Sequence, residues 1–284
     1  MTTPPLPDFI IVGPQKCATT WLHTCLDEHP EVLMPNTDFI HYFDMFYQRD
    51  ESWYRDFFSE YEGEPVVGEL TRTYIRDELA PKRMAETVQD TKLIFTLRNP
   101  VDRAFSHWWH EKSKDKHSFE FEEVFENFDL YQNWVVPGFY HRHIMRYKKY
   151  FPEEQIKICF FDDLVDDDLA YARDVYSFLD IDDEYVPSVI DDRVNQGRFR
   201  SINRGSIYSS LASTYKKLAP ETAVDIVRPL HQKFRERLTA QTEYEEGMED
   251  DTRKRLEEHF IDDVSALSDY VGRDLSHWLH YHEI

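Results

Sequence analysis

The stretch Asp8-Phe9-Ile10-Ile11-Val12-Gly13-Pro14-Gln15-Lys16-Cys17-Ala18-Thr19-Thr20-Trp21 decides the fold. Asp8–Gly13 is a short apolar run ending in glycine and reads as a buried strand. Downstream, Trp21, Leu22, Cys25 and Leu26 recur at helical spacing until Pro30, which predicts a helix from Thr19 to His29. Strand, loop, helix is the opening of a nucleotide-binding α/β fold. Such a loop aims several backbone N–H groups at one point, where a phosphate or sulfate is favoured. Lys16 adds a full positive charge, and Thr19 and Thr20 add hydroxyls that can donate to a ligand or cap the helix. The plainer alternative is an ordinary strand-to-helix turn with an exposed lysine.

The loop departs from the Walker A pattern, which places its lysine after a second glycine and before Ser or Thr. Here Lys16 comes early and no glycine precedes it directly. No Walker B aspartate follows a strand, because Lys92–Leu97 (KLIFTL) runs into Arg98. These features disfavour a metal-dependent ATPase or GTPase, although a P-loop kinase-like phosphotransferase stays as the alternative enzyme class. The three cysteines, Cys17, Cys25 and Cys159, match neither a disulfide framework nor a zinc site. The expectation is therefore a site without metal.

Outward from the loop, Val66-Val67-Gly68, Lys92–Leu97 and Ile156–Phe161 are further strand candidates. Helical stretches lie between and after them: one follows Pro100 through Trp109, and others cover Tyr140–Tyr150 and Leu169–Leu179. Alternating strands and helices predict an α/β fold: a P-loop-like parallel sheet flanked by helices. Past about Ser206 the pattern is helical, giving a helical C-terminal portion. No Pro/Gly/Ser linker interrupts the chain, so residues 1–284 are assigned to one domain.

Acidic residues number 55 against 33 basic, for a net charge of −22, the wrong sign for a nucleic-acid or anionic-membrane binder. Such acidity suits a high-salt cytoplasm, where counterions screen self-repulsion, and it equally suits a plain acidic surface. Sparse cysteines fit a reducing compartment, the N-terminus has no signal-peptide pattern, and no apolar run approaches a membrane span. The expected location is the cytoplasm.

A second motif, Arg98-Asn99-Pro100-Val101-Asp102-Arg103-Ala104-Phe105-Ser106, follows the third strand. Arg98 at a strand's carboxyl end can grip a phosphate bidentately, and Ser106 can turn the same way from the helix. Together with the first loop, this motif resembles the PAPS-dependent sulfotransferases. It is most similar to the branch holding the heparan sulfate sulfotransferases and their prokaryotic relatives. That family has K-x-G-T-[TR] for the 5′-phosphosulfate and R-N-P-x-x-R-x-x-S for the 3′-phosphate. The resemblance spans nearly the whole chain and includes Gly272-Arg273-Asp274-Leu275-Ser276 near the C-terminus. It departs at Ala18, where the family often has glycine. It implies the co-substrate PAPS (3′-phosphoadenosine 5′-phosphosulfate), held by Lys16, Cys17, Ala18, Thr19, Thr20, Trp21, Arg98 and Ser106. A basic stretch around Gly197, with Arg198 and Arg200, is expected to cover the nucleotide.

In transfer, Lys16 is the residue to neutralise the leaving group, and a base must take the acceptor's proton. The resembling branch supplies a catalytic glutamate from K-E-x-H-F-F-D. The matching segment here is Asp38-Phe39-Ile40-His41-Tyr42-Phe43-Asp44, with Phe39 in the glutamate's place. Histidine titrates near neutral pH, which makes His41 the replacement base; Asp38, Asp44 and Glu69 are alternatives. Glu69-Leu70-Thr71-Arg72-Thr73-Tyr74 resembles the family's E-K-[TS]-P-x-Y, and so Glu69 and Arg72 are expected to meet the acceptor. By analogy alone the acceptor is a carbohydrate or glycolipid bearing a hydroxyl or amine. Phe39 also raises the alternative of a non-catalytic nucleotide-binding relative.

Overall fold

A computed structural model describes residues 3–37, 39–114, 116–190 and 247–279. Five strands form one sheet: β1 (Phe9–Gly13), β2 (Val32–Leu33), β3 (Val66–Leu70), β4 (Lys92–Leu97) and β5 (Ile156–Phe160). Their order is β2-β3-β1-β4-β5 and every pairing is parallel. The principal helices are α1 (Thr19–Glu28), α2 (Glu51–Arg55), α3 (Ala80–Thr87), α4 (Pro100–Lys112), α5 (Tyr140–Tyr147), α6 (Phe161–Asp166), α7 (Asp168–Leu179) and α8 (Asp250–Val271).

Burial on both faces explains why the strands read as unbroken apolar runs. The period-2 alternation of β1 sorts its side chains between two cores. Phe9 and Ile11 join Trp21, Leu22 and Leu26 of α1 and Tyr171, Val175 and Leu179 of α7. Ile10 and Val12 join Val101, Ala104 and Phe105 of α4, Ile144 of α5, and Leu256 and Phe260 of α8. All four β1 side chains are fully buried, worth roughly 1.5–3 kcal/mol each against exposure.

The chain passes from central β1 to β2 and β3 on one side, then crosses to β4 and β5 on the other. The loops after β1 and β4 thus flank a topological switch point, where open parallel sheets bind ligands. Most of the predicted elements stand in place with ends moved by a residue or a few. Asp8 lies just outside β1, and its carboxylate accepts from the Val67 N–H at 2.8 Å. β2 was not predicted, since two residues carry no readable period. The helix expected over Tyr140–Tyr150 ends at Tyr147, and Phe161 opens α6 instead of closing β5. Beyond Ser206 only α8 and residues to 279 can be compared, and these are helical as far as Gly272, which caps α8 in the left-handed region at φ 64°.

The C-terminal segment docks on the strand ends. Trp278 donates from Nε1 to Asp162 at 2.9 Å, and Arg273 pairs with Asp163 at 2.7 Å. Asn99, whose Oδ1 caps α4, donates from Nδ2 to the Trp278 carbonyl at 2.7 Å.

Candidate functional site

The loop after β1 is shaped by three left-handed residues: Gly13 at φ 104°, Lys16 at 71° and Ala18 at 60°. A Cβ on Gly13 would stand 2.3 Å from the Arg72 carbonyl oxygen, so only glycine fits where β1 passes the end of β3. Ala18 holds the conformation that glycine adopts most readily, which explains why glycine is common there in the resembling pattern. α1 then begins at Thr19 with no side-chain cap. Its first N–H groups are not satisfied by the helix itself, the arrangement that favours an anion at a helix start.

The side chains within this stretch divide. Lys16 and Thr20 are half-buried, and Thr20 Oγ1 accepts from Arg72 Nη2 at 2.9 Å. Thr19 is buried. Cys17 is buried 4.0 Å from the Tyr140 hydroxyl, and burial pushes its thiol up to about 11, against the lowering pull of Arg103, Arg98 and Lys16. It is an unreactive thiol that can serve a ligand only through its backbone. Trp21 turns inward to an edge contact with Tyr171, ring centroids 5.8 Å apart. Its indole belongs to the core, so the expectation that Trp21 binds the nucleotide can hold for its main chain alone.

Across the switch point, Arg98 leaves β4 half-buried with its guanidinium 4.8 Å from the centre of the Phe161 ring. Its carbonyl accepts from the Tyr140 hydroxyl at 2.8 Å, which fixes the backbone there. Ser106 lies two turns along α4 and is 8% exposed. The β1–β4 register, Gly13 beside Phe95, brings this motif next to the loop.

His41, itself left-handed at φ 57°, lies beside the end of β3. Its Nδ1 is 3.1 Å from Asp44 Oδ2 and 3.2 Å from Thr73 Oγ1. Thr73 also donates to Asp44 Oδ2 at 2.5 Å. Burial opposes the Asp44 charge, but bonds from His41, Thr73 and the Met45 N–H outweigh it and hold the carboxyl below its usual range. An ionised carboxylate at Nδ1 fixes the hydrogen on that nitrogen and leaves Nε2 as the proton acceptor. Phe39, in the glutamate's position, supports the Arg72 guanidinium 4.5 Å from its ring centre. Arg72 thus bridges the loop through Thr20 and the His41 segment through Phe39.

Glu69 differs from its expected place. It is fully buried, accepting from the Tyr54 hydroxyl, from Tyr74 at 2.8 Å and from Thr71 Oγ1 at 2.8 Å. Burial pushes its carboxyl above the ordinary range despite these donors. With no exposed surface it offers neither an acceptor contact nor a base. It organises instead: Thr71 Oγ1, held by Glu69, accepts from the Ile40 N–H at 3.3 Å, and Tyr74 accepts from the Phe43 N–H at 3.3 Å.

Gln15 and Arg103 stand within the two sequence motifs without a separate role, and the sequence alone does not single out Arg76, His107 and Asn133. Gln15, Arg76, Arg103, His107 and Asn133 line a half-open cleft with Arg72 and Thr73. Arg103 and His107 are four apart on α4 and so share a face, a signal legible only once α4 is known to face the loop. His110, one turn further, is half-buried; burial and then Lys16 lower its imidazole to about 3, so it is neutral and accepts from Lys114 at 3.0 Å. Asp38, Gly197, Arg198 and Arg200 lie outside the described residues. No helix among the described residues is long and apolar enough to cross a membrane.

The sequence model of the sulfotransferase domain matches residues 6–260. The bifunctional heparan sulfate N-deacetylase/N-sulfotransferase 3 of Homo sapiens is 34% identical over 201 residues, covering 62% of this chain and 22% of that protein. The heparan sulfate glucosamine 3-O-sulfotransferase 3B1 of Mus musculus is 32% identical over 180 residues, covering 61% of this chain and 46% of the relative. The chain therefore spans about a fifth of the first of these relatives and about half of the second. Among solved structures, a sulfotransferase from Alicyclobacillus acidocaldarius superimposes with a TM-score of 0.72 at 25% identity, covering 96% of this chain and 99% of the other. A mouse sulfotransferase complexed with PAP, at 17% identity and a TM-score of 0.53, covers 94% of this chain and 88% of its own and shares the fold. With residues 6–260 matched, the protein belongs to the sulfotransferase domain family.

Proposed function

We propose that the chain transfers a sulfuryl group from PAPS to a hydroxyl or amine of a carbohydrate or glycolipid acceptor. The observation that carries this reading is the uncapped start of α1, shaped by left-handed Lys16 and Ala18, with Arg98 and Ser106 beside it. One anion site suits a phosphosulfate and the other a 3′-phosphate. The relatives' activities on heparan sulfate support a saccharide acceptor.

Bound there, the donor supplies an activated sulfuryl group. The loop N–H groups and the Thr19 and Thr20 hydroxyls hold its oxygens, and Lys16 offsets the charge that grows on the departing phosphate. Arg98 and Ser106 hold the far end and fix the nucleotide's register. His41 takes the acceptor's proton at Nε2 while Asp44 and Thr73 hold the ring. No side chain in this scheme needs a metal. We assign the protein to the cytoplasm and residues 1–284 to one domain, and read the charge of −22 as suited to a salt-rich interior.

The test is transfer of labelled sulfate from PAPS in EDTA to a panel of saccharides and glycolipids. Product that forms without metal and disappears in Lys16→Ala supports the reading. Labelled phosphate moved from ATP in magnesium would replace it with a kinase. Tight PAP binding with no sulfated product across the panel would favour a non-catalytic relative.

A further inference from the structure

Arg72 leaves the end of β3 directly beside the donor loop. The β1–β3 pairing sets Ile11 opposite Leu70, and the Thr71 N–H donates to the Ile11 carbonyl at 3.2 Å. That register brings the Arg72 carbonyl against Gly13, where a Cβ would stand 2.3 Å from its oxygen. The next residue, Thr73, contacts both His41 and Asp44. The Arg72 main chain is therefore fixed between the loop and the His41 segment.

Its side chain is held at two points. The guanidinium lies over the Phe39 ring, 4.5 Å from the centre, and Nη2 donates to Thr20 Oγ1 at 2.9 Å. Attraction to the ring face limits how far the planar group can turn away from Thr20. A hydroxyl accepts and donates at once, through separate directions. Within α1, Thr24 bonds to the Thr20 carbonyl at 3.0 Å, and among the described residues Thr20 Oγ1 has Arg72 as its hydrogen-bond partner. With Arg72 donating from one side, the Thr20 hydrogen must point to another. A charged donor also polarises the hydroxyl it binds and strengthens that hydroxyl as a donor in turn.

We propose that Arg72 is a positioning residue of the donor site: it turns the Thr20 hydrogen toward the 5′-phosphosulfate and strengthens the bond that this hydroxyl makes. The assignment puts Arg72 at the donor, a different role from the acceptor contact that its place after β3 suggests. It rests on the reading of the loop as a PAPS site. Because Arg72 acts through Thr20, removing either side chain loses the same interaction with the ligand.

The test is a double-mutant cycle on the full chain, read by calorimetry with PAP, adenosine 5′-monophosphate and adenosine 3′-monophosphate at constant ionic strength. Arg72→Met removes the guanidinium and keeps an unbranched chain, with Arg72→Leu as a second neutral variant. Thr20→Val removes the hydroxyl with little change of shape. Each single variant is expected to weaken PAP and the 5′-monophosphate about tenfold, and the double variant about tenfold as well. Thr20→Ser keeps the hydroxyl, and in that background Arg72→Met again costs about tenfold. The 3′-monophosphate, with nothing at its 5′ end to meet Thr20, binds every variant within twofold; damage to the fold would weaken it with the others. Additive losses near a hundredfold place Arg72 directly on the ligand and overturn the proposal. PAP affinity unchanged by Arg72→Met, or a parallel loss of the 3′-monophosphate, makes the bond to Thr20 structural alone and also overturns it. Wild-type protein that binds none of the three nucleotides rejects the donor reading and the proposal with it, whereas wild-type binding with an additive cycle rejects the proposal alone.

Discussion

Replacing Gly13 with alanine probes the junction on which the donor loop is built. The residue sits at φ 104°, where an L side chain is strained by about 1–3 kcal/mol. Its new Cβ would stand 2.3 Å from the Arg72 carbonyl oxygen, where ordinary contact begins at 3.4 Å, so the strands must part by about 1 Å. The obstacle is backbone and no rotamer relieves it; forced overpacking adds roughly 1–3 kcal/mol. The expected loss is therefore about 4 kcal/mol, a large share of an ordinary domain's 5–15 kcal/mol. Moving Arg72 also breaks its 2.9 Å bond to Thr20, so PAP affinity falls with stability. Ala18→Gly in the same loop has the opposite sign. It relieves roughly 1–2 kcal/mol of left-handed strain, against about 0.5–1 kcal/mol of extra chain entropy, for a net gain of about 0.5 kcal/mol. Urea denaturation with PAP calorimetry on both variants is the assay. A Gly13→Ala protein within 1 kcal/mol of wild type that binds PAP within twofold would refute this account of the loop.

Arg98→Ala removes a charged phosphate ligand and is expected to weaken PAP binding about 10- to 100-fold by calorimetry, with little change in thermal stability. His41→Gln should lower kcat about 10²- to 10⁴-fold while the PAP dissociation constant stays within twofold, which steady-state kinetics and calorimetry together separate. Asp44 titrates below its usual range in the fold, so its stabilising contribution is complete above the ordinary carboxylate range and is lost as pH falls through the depressed value. Asp44→Asn is accordingly expected to destabilise at pH 7, with the gap to wild type closing on acidification in denaturation curves. Tyr74→Phe leaves the buried Glu69 carboxylate one donor short and should cost about 2 kcal/mol in urea denaturation.

Much of the sheet was legible because β1 and β4 are buried on both faces and bounded by Gly13 and Arg98. β2 was not, since two residues show no period. The donor loop was legible in residue type, and the apolar spacing of Trp21 with Leu22, Cys25 and Leu26 already put its indole on the buried face; nothing in the letters shows that Cys17 turns inward or that Thr20 meets Arg72. His41 and Asp44 were readable as neighbours at three residues' separation, whereas Thr73, their common partner, arrives from another strand's end. Glu69 was misjudged for the same reason. Its three hydroxyl donors come from Tyr54, Thr71 and Tyr74, and burial is a property of the packed fold. The Arg103 cleft collects residues from four separate segments, so no local motif announces it.

The central claim is that the loop and the Arg98 motif together hold a nucleotide with phosphates at both ends. Titrating the full chain in EDTA with PAP and, separately, with adenosine 5′-monophosphate tests it most directly. The account predicts that PAP binds at least tenfold more tightly, and that Arg98→Ala abolishes the difference while Lys16→Ala weakens both ligands. Equal affinity for the two nucleotides, or a preference for magnesium ATP over PAP, would contradict it.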